Sequence, residues 1–235
     1  ASAVSLFDGT VDLGNPDLEP ERTWRTTAEW EHRFGPKGVV VVSLFNDEVE
    51  AVQDQIPIAG IADGPGNLGD GRRTGARIDA TAPLDILGLK GGELRLKGMA
   101  QTSSVDDPVT GSSRRFSEEP DWSYSIDIRQ PLPDLKLLWG ALYERADDVE
   151  LFRLKELRTT GWDDPNLDLY VETTAFTGFV VRFTVSDVLR PTEVRERRFF
   201  APDRSSDANL SSIETRGAIG GYGTRSYAVR ASGRF

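Results

Sequence analysis

The chain has 235 residues, 38 acidic against 28 basic side chains and a formal net charge of −10, which allows one large or two small domains and disfavours DNA or RNA as the main partner. The absence of cysteine removes disulfides, Cys-based zinc sites, iron–sulfur clusters and thiol nucleophiles, and a single histidine, His32, removes multi-His metal sites and most Ser-His-Asp arrangements. The apolar share of 38% is low, but 9% aromatics with 5 Trp argue against disorder, and no apolar run approaches the length of a spanning helix.

In chain order, residues 23–34 alternate, with Trp24, Thr26, Ala28, Trp30, His32 and Phe34 on one face and mostly Arg and Glu on the other. Residues 39–53 open as an apolar run and then alternate loosely. Residues 73–86 put Thr74, Ala76, Ile78, Ala80, Ala82, Leu84 and Ile86 opposite Arg73, Arg77, Asp79 and Asp85. Residues 93–102, 122–130 and 135–145 repeat the pattern, and 167–186, 192–200 and 222–235 complete it. A two-residue period means strands with one apolar and one polar face. The count is about nine strands, many of ten residues or more, against the usual five or six. Segment 149–158 reads as a short helix or as a strand extension inside a loop.

The connections alternate in length. Short turns are expected at 35–38, 88–92, 131–134 and 188–192, and long polar loops at about 54–72, 105–121, 146–166 and 201–221. Tight turns on one side and long loops on the other form the connectivity of outer-membrane barrels, with periplasmic turns and extracellular loops. A propeller would give four short strands per period rather than two long ones.

Two segments carry a family resemblance. Gly14-Asn15-Pro16-Asp17-Leu18-Glu19-Pro20-Glu21 leads straight into the first alternating strand. It resembles the N-P-x-L-x-P-E segment of TonB-dependent outer-membrane receptors, matched here by Asn15, Pro16, Leu18, Pro20 and Glu21. At the other end, Tyr227, Val229, Ala231, Gly233 and Phe235 alternate toward a terminal Phe. This is similar to the C-terminal strand that the barrel-assembly machinery reads, with Tyr227, Val229 and Phe235 as the signal. The resemblance implies an all-β fold, the C-terminal part of an antiparallel transmembrane barrel spanning 1–235, with 1–21 a loop and 22–235 strands and loops. Such receptors have 22 strands and a plugged lumen, and nothing here resembles the plug. The chain begins at Ala1 rather than Met, which reads as a piece of something longer. The resemblance further implies active uptake of a scarce nutrient (a siderophore, haem, cobalamin or a saccharide), not enzymatic activity. The implied partners are outer-membrane lipid, TonB through the missing plug region, the assembly machinery and an unidentified small ligand, with no nucleic acid, cofactor or metal.

The faces then acquire directions. The apolar set Ile78, Leu84, Leu94, Ile126, Val181 and Phe183 would meet lipid. Arg77, Asp79, Arg95, Lys97, Asp127 and Arg129, with Glu172 and Arg182, would line the lumen. Trp24, Trp30, Phe34, Trp122, Trp139 and Phe235 fall near strand ends, as girdle residues do. The alternative is a soluble antiparallel β-sheet binding module. Its apolar face would turn inward, onto small residues such as Ala76, Ala80, Ala82, Gly98 and Ala100 that fill an interior poorly. His32 reads as an interfacial strand-end residue. The pairs Asp106-Asp107, Asp147-Asp148 and Asp163-Asp164 read as solvated loop charge without calcium-loop spacing, and Arg195–Arg198 as salt-bridging strand residues. Gly64–Gly69 has no helix following, which excludes a dinucleotide loop. An odd count of wall strands predicts an open sheet, with 23–34 and 222–235 unpartnered on their outer edges.

Overall fold

A computed structural model of the chain describes residues 2–5, 10–58, 60, 62–176, 178–218 and 224–233. It is all-β and almost entirely antiparallel, with no α-helix among the described residues. Nine strands form the wall. They are β1 Arg22–Phe34, β2 Gly38–Glu50, β3 Gly71–Pro83, β4 Glu93–Asp106, β5 Trp122–Leu132, β6 Leu137–Ala146, β7 Asn166–Thr173, β8 Phe179–Ser186 and β9 Ser226–Gly233. Each pairs with its sequence neighbour in up-and-down order, and among the described residues no ladder joins β1 to β9. Among the described residues, the sheet is open at both edges.

The register follows the two-residue period. Ile78 lies opposite Gly98, Ala80 opposite Leu96, and Ile126 opposite both Leu96 and Tyr143. One residue along, Asp79 faces Lys97, and Arg95 faces Thr81 and Asp127. A slip of one residue would exchange the two faces entirely. Here both faces stay in phase across all nine strands, from Trp30 on β1 to Val229 on β9.

The apolar face is exposed rather than packed. Trp24 is 68% accessible, Trp30 58%, Leu44 57% and Val229 72%. The buried apolar cluster lies elsewhere, at the long-loop end of the wall, where Val49, Val52, Val105 and Phe116 meet with Leu68 against them. Two small sheets cap that end. One pairs Gln53–Ile58 with Ala62–Asn67 and adds the hairpin of Ser2–Ser5 and Thr10–Leu13 through a single parallel bridge, Asp12 to Asp63. The other orders Val149–Phe152, Glu156–Trp162, Glu193–Phe200 and Leu210–Ala218.

Three sequence expectations are corrected. Segment 167–186 is two wall strands, because a turn at 174–178 breaks it, with the Phe179 N–H donating to the Phe176 carbonyl and Gly178 at φ +81°. Segment 192–200 is not in the wall: it pairs with 156–162 and 210–218 inside the loop layer, so 188–192 opens a long connection. Strand β3 ends at Pro83 and Leu84–Leu87 form a 3-10 turn, which buries Leu84 in the turn and removes it from the apolar face. Segment 149–158 resolves as strand: Val149–Phe152 and the start of Glu156–Trp162.

Candidate functional site

The charged face of the wall is concave. A single cavity of about 880 Å³ is lined by Glu29 on β1, by Arg77 and Asp79 on β3, by Lys97 on β4, by Glu144 on β6 and by Asn166 on β7. Residues so far apart in the strand order line one space only if the sheet curls around this face. Trp162 and Asp164 from the loop layer, with Asp187 after β8, also line it. A second hollow of about 330 Å³ is lined by Asp127, Arg129, Tyr170 and Arg182. Six of the eight residues expected on the lumen side therefore border hollows. Arg95 shares their face and bonds Glu93 two residues away. The wall charges are paired in part: Arg182 donates to Glu172 at 3.0 Å and stacks over Tyr170, and Arg77 lies over the Phe45 ring at 4.6 Å.

At the long-loop end the charges are buried and tied. Asp47, with no exposed surface, accepts from Arg25 at 2.6 and 2.7 Å and from Arg73 at 2.9 Å. Arg73 also bonds Glu119. Arg114 pairs with Asp54 at 2.9 Å and Asp107 at 3.2 Å, and Arg204 reaches Asp107 at 2.7 Å. Both guanidiniums lie over Phe152, at 4.4 and 5.3 Å from the ring centre. The Leu154 N–H donates to Asp63 and Arg204 donates to the Arg153 carbonyl, so all four long connections meet in one cluster. Burial pushes the Asp107 carboxyl up, but the Val109 N–H and then the Arg204 and Arg114 guanidiniums outweigh it and hold the group below its ordinary range. Glu119 goes the other way: burial raises it, and Arg73 does not fully offset that. Sequence reasoning missed this cluster, because its partners stand 60 residues apart (Arg114 and Asp54) or 97 (Arg204 and Asp107).

The N-P-x-L-x-P-E segment has a definite local task. Asn15 Oδ1 accepts the Asp17 N–H, closing a side-chain turn over Pro16. The Glu19 N–H donates to Asn67 Oδ1 at 2.9 Å, and Asn67 Nδ2 donates back to the Glu19 carbonyl at 3.0 Å and to the Ala51 carbonyl at 2.8 Å. Gln53 Nε2 bonds the Glu19 carbonyl, and Glu21 Oε2 accepts the Gln53 N–H at 2.9 Å. Pro20 lies between these anchors, and Leu18 is exposed. The segment thus clamps the β2–β3 loop to the entry of β1. At the far end, Tyr227 and Val229 stand exposed on the apolar face and Tyr227 stacks on Phe183. Phe235 lies outside the described residues.

The remaining candidates resolve locally. His32 stacks between Trp30 and Phe34 on the apolar face. Arg195 bonds Glu193 and Arg198 bonds Glu196, leaving no cationic run for an anion. Gly64, Gly66 and Gly69 lie in and just after a hairpin strand. Among the described residues no group of three or more His, Cys, Asp or Glu could hold a metal ion. Comparison with protein-family models, curated proteins and solved structures finds no match for this chain.

Proposed function

We propose that this chain is the C-terminal part of a TonB-dependent outer-membrane receptor barrel, and that the intact receptor takes up a scarce nutrient through a polar lumen. The observation that carries the reading is the inversion of faces: the continuous apolar face of a nine-stranded sheet points outward and exposed, and the charged face encloses the hollows. Soluble proteins rarely expose an apolar surface of this extent, whereas a membrane barrel requires it. The ten residue steps from Trp24 to Phe34, at about 3.4 Å each and a tilt near 40°, give a height of about 26 Å, close to the roughly 25 Å apolar band of outer-membrane barrels. The N-P-x-L-x-P-E segment and the alternating C-terminal strand support the family assignment. The aqueous cavity lined by Arg77, Asp79 and Lys97 belongs to the lumen in this reading, facing the plug and the passing ligand.

Fractionation of cells that make the intact protein tests the membrane step. The protein should sediment with outer membranes, resist carbonate extraction and need detergent to stay monodisperse. A monodisperse protein in detergent-free buffer sinks the proposal and leaves the soluble binding module. Uptake that persists when TonB is deleted would remove the transport mechanism alone.

A further inference from the structure

The short turns carry the usual Gly, Pro and Asp, but three of them also hold large exposed apolar side chains. In the turn between β3 and β4, Leu84 tucks inward, but Ile86 is 87% exposed and Leu87 71%. In the next turn Leu135 is 63% exposed, and between β7 and β8 Phe176 is 59% exposed. The first two turns form one patch, since Gln130 Nε2 donates to the carbonyls of Lys90 and Pro131 at 3.1 and 2.8 Å. Lysine use is just as uneven. The chain has five lysines against 23 arginines, and three of the five, Lys37, Lys90 and Lys136, stand exposed in these turns. Arginine makes the buried carboxylate pairs of the loop cluster, as its planar fork suits. A lysine is a point charge on a flexible apolar stem, suited to lying along an apolar surface with its head at a charged boundary. Two acids share these turns: Asp85 accepts the Gly91 N–H at 3.0 Å, and Asp134 stands exposed near Lys136.

We propose that the turn end of the sheet is a membrane-surface anchor. Ile86, Leu87, Leu135 and Phe176 enter the acyl boundary of the leaflet on the turn side, and Lys37, Lys90 and Lys136 meet the phosphates of anionic phospholipid. The proposal rests on the lipid-facing reading of the apolar face, with which the tips are continuous through Trp139 and Phe179, both exposed. Apolar tips flanked by lysine match the composition of segments that lie in the interface, and each lysine near an anionic surface contributes a roughly fivefold preference.

The test uses the intact protein in vesicles of phosphatidylcholine with and without phosphatidylglycerol. An environment-sensitive label is placed at Ile86→Cys or, as a control on the outward face, at Val171→Cys. The label at position 86 should be quenched by brominated lipid and shielded from iodide, and the shielding should deepen with phosphatidylglycerol. Changing all three lysines to glutamine should abolish that deepening without moving the label at 171. If position 86 is open to iodide while 171 is in lipid, the anchor falls and the membrane reading stands. If both are open, both readings fall. Shielding at 86 from iodide and brominated lipid alike would mean a protein contact and overturn the proposal, as would a phosphatidylglycerol effect that survives lysine removal.

Discussion

Ile126 and Asp127 are adjacent residues on β5 with opposite surroundings. Ile126 sits between Leu96 and Tyr143 on the apolar face, and Asp127 sits between Arg95 and Leu142 beside the smaller hollow. If the apolar face meets lipid as proposed, replacing Ile126 by Arg should destabilise the assembled wall by about 2–4 kcal/mol, the cost near a bilayer midplane, whereas Asp127→Asn should be mild. Urea unfolding of the intact protein in vesicles compares them, and equal losses would refute the assignment of faces. Asp107 makes a second prediction. Its folded pKa is depressed, so it contributes stability above its unfolded value near 3.9, and that stability is lost as pH falls through the folded value. Amide exchange at 105–116 and 203–205 should therefore rise sharply below about pH 4. Asp107→Asn should flatten that acid dependence and cost about 3–5 kcal/mol at neutral pH, because it takes the carboxylate from the buried Arg204 guanidinium, while Arg114 keeps Asp54.

Among the elements, the clamp of residues 15–21 onto the loop hairpin is the most exposed to test. Glu21→Gln weakens the acceptor of the Gln53 N–H, and Asn67→Ala removes three hydrogen bonds at once. Each variant should raise proteolysis within 53–67 while leaving the wall intact, with Asn67→Ala the larger at about 1–3 kcal/mol locally. Equal cleavage in wild type and Asn67→Ala would deny the clamp its role. The elements also mark where the sequence stopped being readable. Strands β1 and β3 to β6 were legible because their alternation is continuous, β2 because of its apolar run Val39–Val42, and all of them because their turns carry Gly or Pro. The turn between β7 and β8 was not, since Thr174, Ala175 and Phe176 continue the strand-like composition and only Gly178 signals the reversal. Glu193–Phe200 alternates as convincingly as a wall strand. What excludes it is its pairing with Glu156–Trp162, a contact across roughly forty residues that no local pattern encodes.

At the scale of the molecule, β1 and β9 both run from the long-loop end to the turn end. If the sheet closes into an all-antiparallel barrel in the intact protein, as the proposed function requires, the closure takes an odd number of further strands. Amide exchange of that protein should show β1 and β9 protected along both edges, and an unprotected outer edge on either would argue against a closed barrel. The order of the wall strands and the two faces could be read from alternation. The curl of the sheet and the loop layer could not, because they depend on long-range burial of charge. That buried charge has a consequence for how such a chain can vary. Asp54, Asp107, Arg114, Arg204 and the backbone of Arg153 belong to four different connections, yet each satisfies another's charge or dipole. Replacing any one of these loops by a foreign sequence would strand an ion in a dry interior, so a change in one connection requires matching changes in the others, whereas residues outside the cluster are free of that constraint.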